Sequence, residues 1–143
     1  MLRTYVRPHG AVLRTALALD VCEHPIVATV LIVDDHPSFR ASARAVLEAG
    51  GLHVIGEAAD GSSALTAIAG LTPDVVLLDI QLPDMTGFDV CAELANRNGA
   101  APNVILVSSR DVADYGDLIA SSRACGFIGK ADLSSEAVVA LLP

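Results

Sequence analysis

Short runs of apolar residues alternate along this chain with longer stretches in which apolar and polar residues are mixed. The clearest run, Val-Val-Leu-Leu at residues 75–78, follows Pro73-Asp74 and ends directly in Asp79. Because it shows no alternation of apolar and polar side chains, it is typical of a strand buried on both faces of a sheet. Similar runs, two of them shorter or weaker, predict four more strands at residues 30–33, 53–56, 104–107 and 126–129.

Apolar residues recur at helical spacing between the predicted strands. Pro37 is expected to begin the first helix, and Gly50-Gly51 to end it. Asp60 is expected to cap the second helix. Further helices are predicted through residues 88–94, 112–119 and 137–141. Strands that alternate with helices predict a parallel sheet covered on both faces, with right-handed crossovers.

The composition agrees with one soluble α/β domain. Hydrophobic residues make up 52% of the 143 residues and aromatic ones only 3%, so the apolar content is mostly aliphatic. No apolar run approaches the roughly 18 residues of a membrane span. The net charge of −8 argues against a nucleic-acid surface. Three cysteines without a close pair favour a reduced, cytoplasmic protein.

The beginning of the chain does not share the regular pattern. Residues 1–25 carry three arginines and two acids, a net charge of +1, against −9 for the remainder. We therefore expect a poorly ordered or loosely docked extension at residues 1–26, followed by one domain at residues 27–143.

Polar residues follow the predicted strands at the points where they end. Because the carboxyl ends of parallel strands share one edge, these residues are expected to meet: Asp34, Asp35, Asp79, Ser108 and Lys130. Three crowded acids are unfavourable unless a cation neutralises them, and oxygen ligands suit Mg²⁺. A lysine and a hydroxyl beside them suit a phosphoryl group. The pattern predicts phosphoryl chemistry on a carboxylate, with Asp79 as the nucleophile.

Three stretches of the chain resemble the signature of a known family. They are Leu-Ile-Val-Asp-Asp-His-Pro at 31–37, Leu-Leu-Asp-Ile-Gln-Leu-Pro-Asp-Met-Thr-Gly at 77–87, and Gly-Phe-Ile-Gly-Lys at 126–130. With them the chain resembles the CheY-like receiver domain of bacterial two-component response regulators, and the acid pair before His-Pro resembles the NarL/FixJ-type branch. The resemblance implies a flavodoxin-like (βα)5 three-layer sandwich with a five-stranded parallel sheet in the order 2-1-3-4-5.

The resemblance also implies a role for each acid. Asp79 is expected to accept a phosphoryl group from a sensor histidine kinase or a phosphotransfer protein. Asp35 is expected to bind Mg²⁺ directly and Asp34 mostly through water, with Asp79 and the backbone carbonyl of Gln81 completing the set. We interpret His36, next to these acids, as a residue of the helix start rather than as a ligand.

The remaining site residues are expected to form a switch. Ser108 is expected to bond a phosphoryl oxygen and Lys130 to pair with the phosphate, while Phe127 follows Ser108 inward. The face made by the fourth helix, fifth strand and fifth helix then changes what it binds. Phe127 lacks the hydroxyl of the commoner tyrosine, so no buried hydrogen bond is expected to report the switched state. Arg123 stands where a glycine often ends the fourth helix.

We therefore predict a phospho-receiver, apparently without an output domain, that controls an unidentified output protein. It is expected to catalyse only its own phosphorylation and dephosphorylation, and to bind neither nucleic acid nor membrane. Whether it forms a phosphorylation-dependent homodimer is left open by the sequence. One alternative is the receiver part of a LuxR/NarL-type DNA-binding regulator, and another is a pseudo-receiver that never accepts phosphate. A Mg²⁺ phosphohydrolase would need a general acid/base two residues after the nucleophile, where Gln81 cannot serve. Tyr115 is left open between core and interface.

Overall fold

The computed structural model describes residues 28–143, so the extension predicted at residues 1–26 lies outside the described part. A five-stranded sheet forms its centre, and every pair of neighbouring strands is parallel. The strand order is β2-β1-β3-β4-β5, as predicted. The strands are β1 Thr29–Val33, β2 His53–Ala58, β3 Val75–Asp79, β4 Asn103–Ser108 and β5 Gly126–Gly129.

Helices connect the strands, and their ends follow local sequence signals. Pro37 occupies the first turn of the first helix. The Asp60 carboxylate accepts a hydrogen bond from the backbone N–H of Ser63, which caps the second helix as predicted. The helices are α1 Pro37–Ala49, α2 Gly61–Leu71, α3 Gly87–Ala95, α4 Leu118–Ser121 and α5 Ser135–Leu141. Within residues 28–143, none of them is long and apolar enough to cross a membrane.

The core lies on both faces of the sheet. On one face, residues such as Leu31, Leu78 and Leu106 pack beneath α2 and α3. On the other, residues such as Ile32 and Leu77 pack beneath α1 and α5. The apolar residues of β1, β3 and β4 at 30–33, 75–78 and 104–107 are buried, whereas most residues of the outer strands β2 and β5 are only partly buried or exposed. Each fully buried large apolar side chain contributes roughly 1.5–3 kcal/mol to stability. This confirms burial on both faces for the run at 75–78 and for those at 30–33 and 104–107.

The segment after β4 differs from the prediction. One helix was expected through residues 112–119, but a short 3-10 helix, Val112–Tyr115, is followed by α4 only after a break. Gly116 lies at that break with a φ of 57°, a left-handed conformation that interrupts a right-handed helix. No residue of the two short helices is buried. Arg123 then adopts a φ of 69°, taking the left-handed position that a glycine often fills at a helix end.

Candidate functional site

The carboxyl ends of four strands gather the polar residues at one edge of the sheet. Asp34 follows β1, Asp79 ends β3, Ser108 ends β4 and Lys130 follows β5. Among the described residues, the buried polar or charged ones are Asp34, Asp79 and Ser108, with exposures of 0%, 3% and 1%. The sheet therefore brings the residues singled out in the sequence into one buried polar site.

Lys130 bridges the two buried acids. Its Nζ contacts Oδ2 of Asp34 and lies 3.4 Å from Oδ2 of Asp79. The same ammonium lies 4.7 Å from the centre of the Phe39 ring, a distance typical of a cation–π contact. The other oxygen of Asp79 accepts a hydrogen bond of 3.2 Å from the backbone N–H of Gln81. Asp79 is thus held between a lysine and the loop that follows β3.

The surroundings shift the pKa values of Asp34 and Asp79 in opposite directions. Burial, together with the nearby charge of Asp34, raises the pKa of Asp79 to about 6, although Lys130 acts against this. Burial also acts to raise the pKa of Asp34, but the hydrogen bonds from Lys130 and His36 outweigh it and lower that pKa. The pKa of Lys130 is raised, because its bonds and attraction to both acids exceed the opposing effect of burial. The site therefore has more negative charge than its single lysine neutralises.

The acids are arranged so that they fit a hard cation. Oxygens of Asp34, Asp35 and Asp79 and a ring nitrogen of His36 all lie within 4.8 Å of one another. Within the described residues, Oδ1 of Asp35 is buried without accepting a hydrogen bond, and Nδ1 of His36 lies 3.1 Å from it, whereas the buried Oδ2 of Asp34 is paired with Lys130. Carboxylate oxygens with free lone pairs are the ligands that Mg²⁺ prefers. The residues present therefore fit the ion predicted from the sequence.

The loop between β3 and α3 is anchored to α2. The carboxylate of Asp84 accepts hydrogen bonds from the backbone N–H groups of Gly61 and Ser62, at 2.8 and 2.9 Å. These bonds lower the pKa of Asp84. Within the loop, Gln81 forms a bridge with Thr86. The backbone of Gln81 is thereby fixed beside Asp79, and its carbonyl stays a predicted metal ligand.

Ser108 is bonded to a residue whose role the sequence left open. Its Oγ lies 2.6 Å from the hydroxyl of Tyr115 and accepts a hydrogen bond from the backbone N–H of Arg110. The Tyr115 ring meets Phe88 edge-on at 5.8 Å and lies 6.2 Å from Phe127 at a tilt. Phe127 itself has no hydroxyl, and the hydroxyl that bonds Ser108 belongs to Tyr115. The expectation about the switched state stays a prediction.

A signal for Tyr115 was present in the sequence. It is the one tyrosine in residues 27–143 and so the only phenol available to replace the hydroxyl missing at Phe127. Sequence spacing did not show that its ring reaches Ser108, because the contact joins a residue of β4 to one of the 3-10 helix that follows it. His36 is the residue before α1, as predicted, but its ring also faces the acids.

A family model describes the same stretch of chain. The model of the response regulator receiver domain matches residues 30–141. The chain belongs to this family. Receiver domains act in two-component signalling, and the five-stranded sheet with its acidic edge is the fold of this receiver.

Relatives and solved structures agree with the family. The chain is 38% identical over 120 residues to the transcriptional regulatory protein NarL of Mycobacterium tuberculosis, covering 82% of this chain and 55% of NarL. It is 46% identical over 87 residues to the DNA-binding response regulator MtrA of Mycolicibacterium smegmatis, covering 59% of this chain and 36% of MtrA. This chain thus spans about half, or less, of these curated relatives.

Two solved structures have the same fold. The signal receiver domain of M. tuberculosis NarL superposes with a TM-score of 0.73 at 34% identity, covering 81% of this chain and 96% of that one. The chemotaxis response regulator CheY4 of Vibrio cholerae superposes with a TM-score of 0.72 at 24% identity, covering 82% of this chain and 100% of that one. These neighbours confirm the flavodoxin-like, CheY-like architecture.

Proposed function

We propose that this receiver accepts a phosphoryl group on Asp79 in a Mg²⁺-dependent reaction and transmits the change through protein contacts. The donor is a sensor histidine kinase or a phosphotransfer protein. The observation that carries the proposal is the buried Asp79 carboxylate beside Lys130 and Asp34 at the sheet edge. A pKa of about 6 leaves most of Asp79 ionised at neutral pH, as a nucleophile requires.

Each residue of the acidic edge has a defined task in this reaction. An Asp79 oxygen attacks the phosphorus while the bond to the donor nitrogen breaks, so a phosphoryl group is exchanged without water entering. Asp34, Asp35, Asp79 and the Gln81 carbonyl hold Mg²⁺, which supplies positive charge to the phosphoryl oxygens when bound. Lys130, already 3.4 Å from Asp79, pairs with the transferred phosphoryl group.

The response begins at Ser108. Its hydroxyl leaves Tyr115 to bond a phosphoryl oxygen, so the 2.6 Å bond between the two side chains is lost or rearranged. Tyr115 packs against Phe88 and Phe127, and a change in its position therefore passes to β5 and to the 3-10 helix. Exposed large apolar residues of the chain after β4 lie on three separate helices, namely Val112, Leu118 and Val139. The face formed by α4, β5 and α5 is the proposed output surface.

The output partner is another protein. This receiver is proposed to act in the cytoplasm. Beyond its own phosphorylation and dephosphorylation we propose no turnover of a small molecule. A second candidate is the receiver portion of a DNA-binding regulator, because NarL and MtrA are named as regulators and are about twice as long as the matched stretch, or longer. In both cases the net charge of −8 disfavours direct DNA binding by this chain, since a negatively charged surface repels phosphates.

The test is the intact mass of the protein after incubation with Mg²⁺ and acetyl phosphate. We expect a gain of one phosphoryl group that requires Mg²⁺ and is absent from Asp79→Ala. The exposed Asp114→Ala, on the 3-10 helix, serves as the matched control and should gain the group normally. No gain in the wild type, under conditions that phosphorylate an established receiver, would favour the pseudo-receiver alternative.

A further inference from the structure

The imidazole of His36 is directed at the acidic edge although the helix beside it does not need it there. His36 is the N-cap residue of α1, yet its side chain makes no capping hydrogen bond. Instead Nδ1 lies 3.0 Å from Oδ1 of Asp34 and 3.1 Å from Oδ1 of Asp35. The His36 side chain is 65% exposed, whereas that of Asp34 is fully buried, so the imidazole lies on the solvent side of this contact.

These distances are those of neighbouring ligands around one ion. Around an octahedral cation with bonds of about 2.1 Å, adjacent ligand atoms lie about 3 Å apart. The His36 nitrogen meets this spacing to both acids, and the Asp79 carboxylate completes a set within 4.8 Å. Lys130 contacts Asp34 through the other carboxylate oxygen, Oδ2. The lysine and the imidazole therefore do not compete for the same oxygen.

The proposed Mg²⁺ site is thus bordered by a nitrogen donor. We propose that His36 is a metal ligand that gives this site a preference for borderline transition-metal ions such as Co²⁺ over Mg²⁺. The inference rests on the proposed function, because it takes the acidic edge to be a metal site. Mg²⁺ binds oxygen almost exclusively, whereas imidazole suits later first-row transition metals. The acids bind both kinds of ion, and His36 adds affinity for only one kind.

A simple ion pair is the competing explanation for the same contacts. An imidazolium ring over two carboxylates neutralises them, and any divalent ion must then displace it. In that case removal of His36 strengthens the binding of Mg²⁺ and Co²⁺ by similar factors. A ligand has the opposite signature, because its removal weakens Co²⁺ binding and leaves the affinity for Mg²⁺ almost unchanged.

The experiment compares both ions on the full chain, without an affinity tag that contains histidine. Wild type, His36→Ala and the exposed His53→Ala are titrated with Mg²⁺ and with Co²⁺ by calorimetry at pH 8, above the ordinary imidazole pKa of about 6.5. We expect His36→Ala to lose at least about tenfold in Co²⁺ affinity. Loss of a residue that only supports a metal ligand already lowers metal affinity by about that factor, and loss of a ligand itself should cost no less. His53→Ala, on β2, should match the wild type.

A direct spectroscopic measurement separates the two explanations. The protein is loaded with one equivalent of Mn²⁺, and electron spin-echo modulation records coupling to nitrogen. We expect a nitrogen coupling in the wild type and in His53→Ala, and its loss in His36→Ala. The chain has four histidines, of which three remain in that variant, so the loss assigns the nitrogen to His36.

Two outcomes overturn the inference, and they differ in what they say about the proposed function. If Mg²⁺-dependent phosphorylation occurs but no nitrogen coupling depends on His36, the metal site stands and His36 is only an ion-pair partner. If neither Mg²⁺ nor Co²⁺ binds the wild type, or if both ions bind equally well to Asp35→Ala titrated in the same way, both proposals fail together. Equal thermal unfolding of wild type and His36→Ala shows that the comparison is not affected by loss of folding.

Discussion

Two helical segments flank the acidic edge of the sheet, and they are packed very differently. On one side α1 runs for 13 residues, with Ala43 and Leu47 buried, and both Arg40 and Arg44 contact Glu57 on β2. On the other side the 3-10 helix and α4 are each four residues long, and none of their residues is buried. The first segment is held by core packing, and the second lies on the surface.

The difference separates the site into two parts. The charged half consists of Asp34, Asp79 and Lys130, which follow β1, end β3 and follow β5. Lys130 also contacts Phe39 on the firmly packed helix. The switch half consists of Ser108, Tyr115 and Phe127, which meet at the loosely packed segment. Elements with few buried apolar contacts rearrange at low cost in free energy. Under the proposed function, we therefore expect a change of charge in the rigid half to be converted into movement in the other half.

Loss of Lys130 should cause the largest effect, because it leaves the charged half without its cation. In Lys130→Met, Asp34 and Asp79 remain buried without the ammonium that contacts both. We expect the free energy of unfolding in metal-free buffer at pH 7 to fall by about 3 kcal/mol. Urea unfolding followed by circular dichroism measures this value.

Two variants control that experiment. Arg97→Met removes an exposed cation from the chain and should change stability by less than about 0.5 kcal/mol. The double variant Lys130→Met/Asp79→Asn should recover much of the loss, because one of the two buried charges is gone. A loss in Lys130→Met no larger than in Arg97→Met would contradict the description of the charged half.

Replacement of Asp79 by asparagine should raise the free energy of unfolding, whereas loss of Lys130 lowers it. The pKa of folded Asp79 is raised to about 6 from 3.8, so between these values the folded protein holds a proton that the unfolded chain has released. The stability from this proton is present below about pH 4 and is lost as the pH rises through 6. Asp79→Asn escapes this loss, and we expect it to be about 1–3 kcal/mol more stable than the wild type at pH 7 without metal.

The pH dependence distinguishes charge from packing. Urea unfolding of both proteins at intervals between pH 4 and pH 7 should show an advantage of Asp79→Asn that is nearly absent at pH 4 and grows with pH. An advantage that is equal at every pH would mean that the amide merely packs better than the carboxyl group.

Loss of the Tyr115 hydroxyl should change the switch half more modestly. Tyr115→Phe keeps the ring between Phe88 and Phe127 but removes the bond to Ser108, for an expected loss of about 1 kcal/mol in stability. In this variant Ser108 has no bond to Tyr115 that must break on activation. Phosphorylation by acetyl phosphate should therefore become faster by up to about fivefold. Ser109→Ala, which removes the exposed neighbouring hydroxyl, should change neither value; a slower reaction in Tyr115→Phe would show that Tyr115 assists Ser108.

A substitution at Arg123, just after α4, should cause the smallest change in stability. Arg123 has a φ of 69°, which costs free energy for a residue with a Cβ atom. We expect Arg123→Gly to stabilise the fold by about 0.5–1 kcal/mol, measured by urea unfolding. Arg123→Ala removes the same charge and keeps the strained backbone, so it should give no gain. Equal gains in both variants would assign the effect to the charge.

The sequence by itself predicted most of the architecture and placed the charged half. Uninterrupted apolar runs are a local signal for buried strands, and alternation with helices leaves few topologies other than a parallel sheet. Once the strands are parallel, residues at their carboxyl ends meet at one edge. Asp34, Asp79 and Lys130 could therefore be brought together from their positions in the chain alone.

Tertiary structure alone decided the arrangement of the switch half and the direction of the His36 ring. The pattern at residues 112–119 predicted one helix, but Gly116 divides it, and Tyr115 at the end of the 3-10 helix bonds Ser108. His36 was recognised as the start of a helix, whereas its contact with Asp34 and Asp35 depends on a rotamer that no spacing encodes. Strand runs and caps are specified by neighbours in sequence, but these contacts join side chains whose positions are fixed only when the elements pack together.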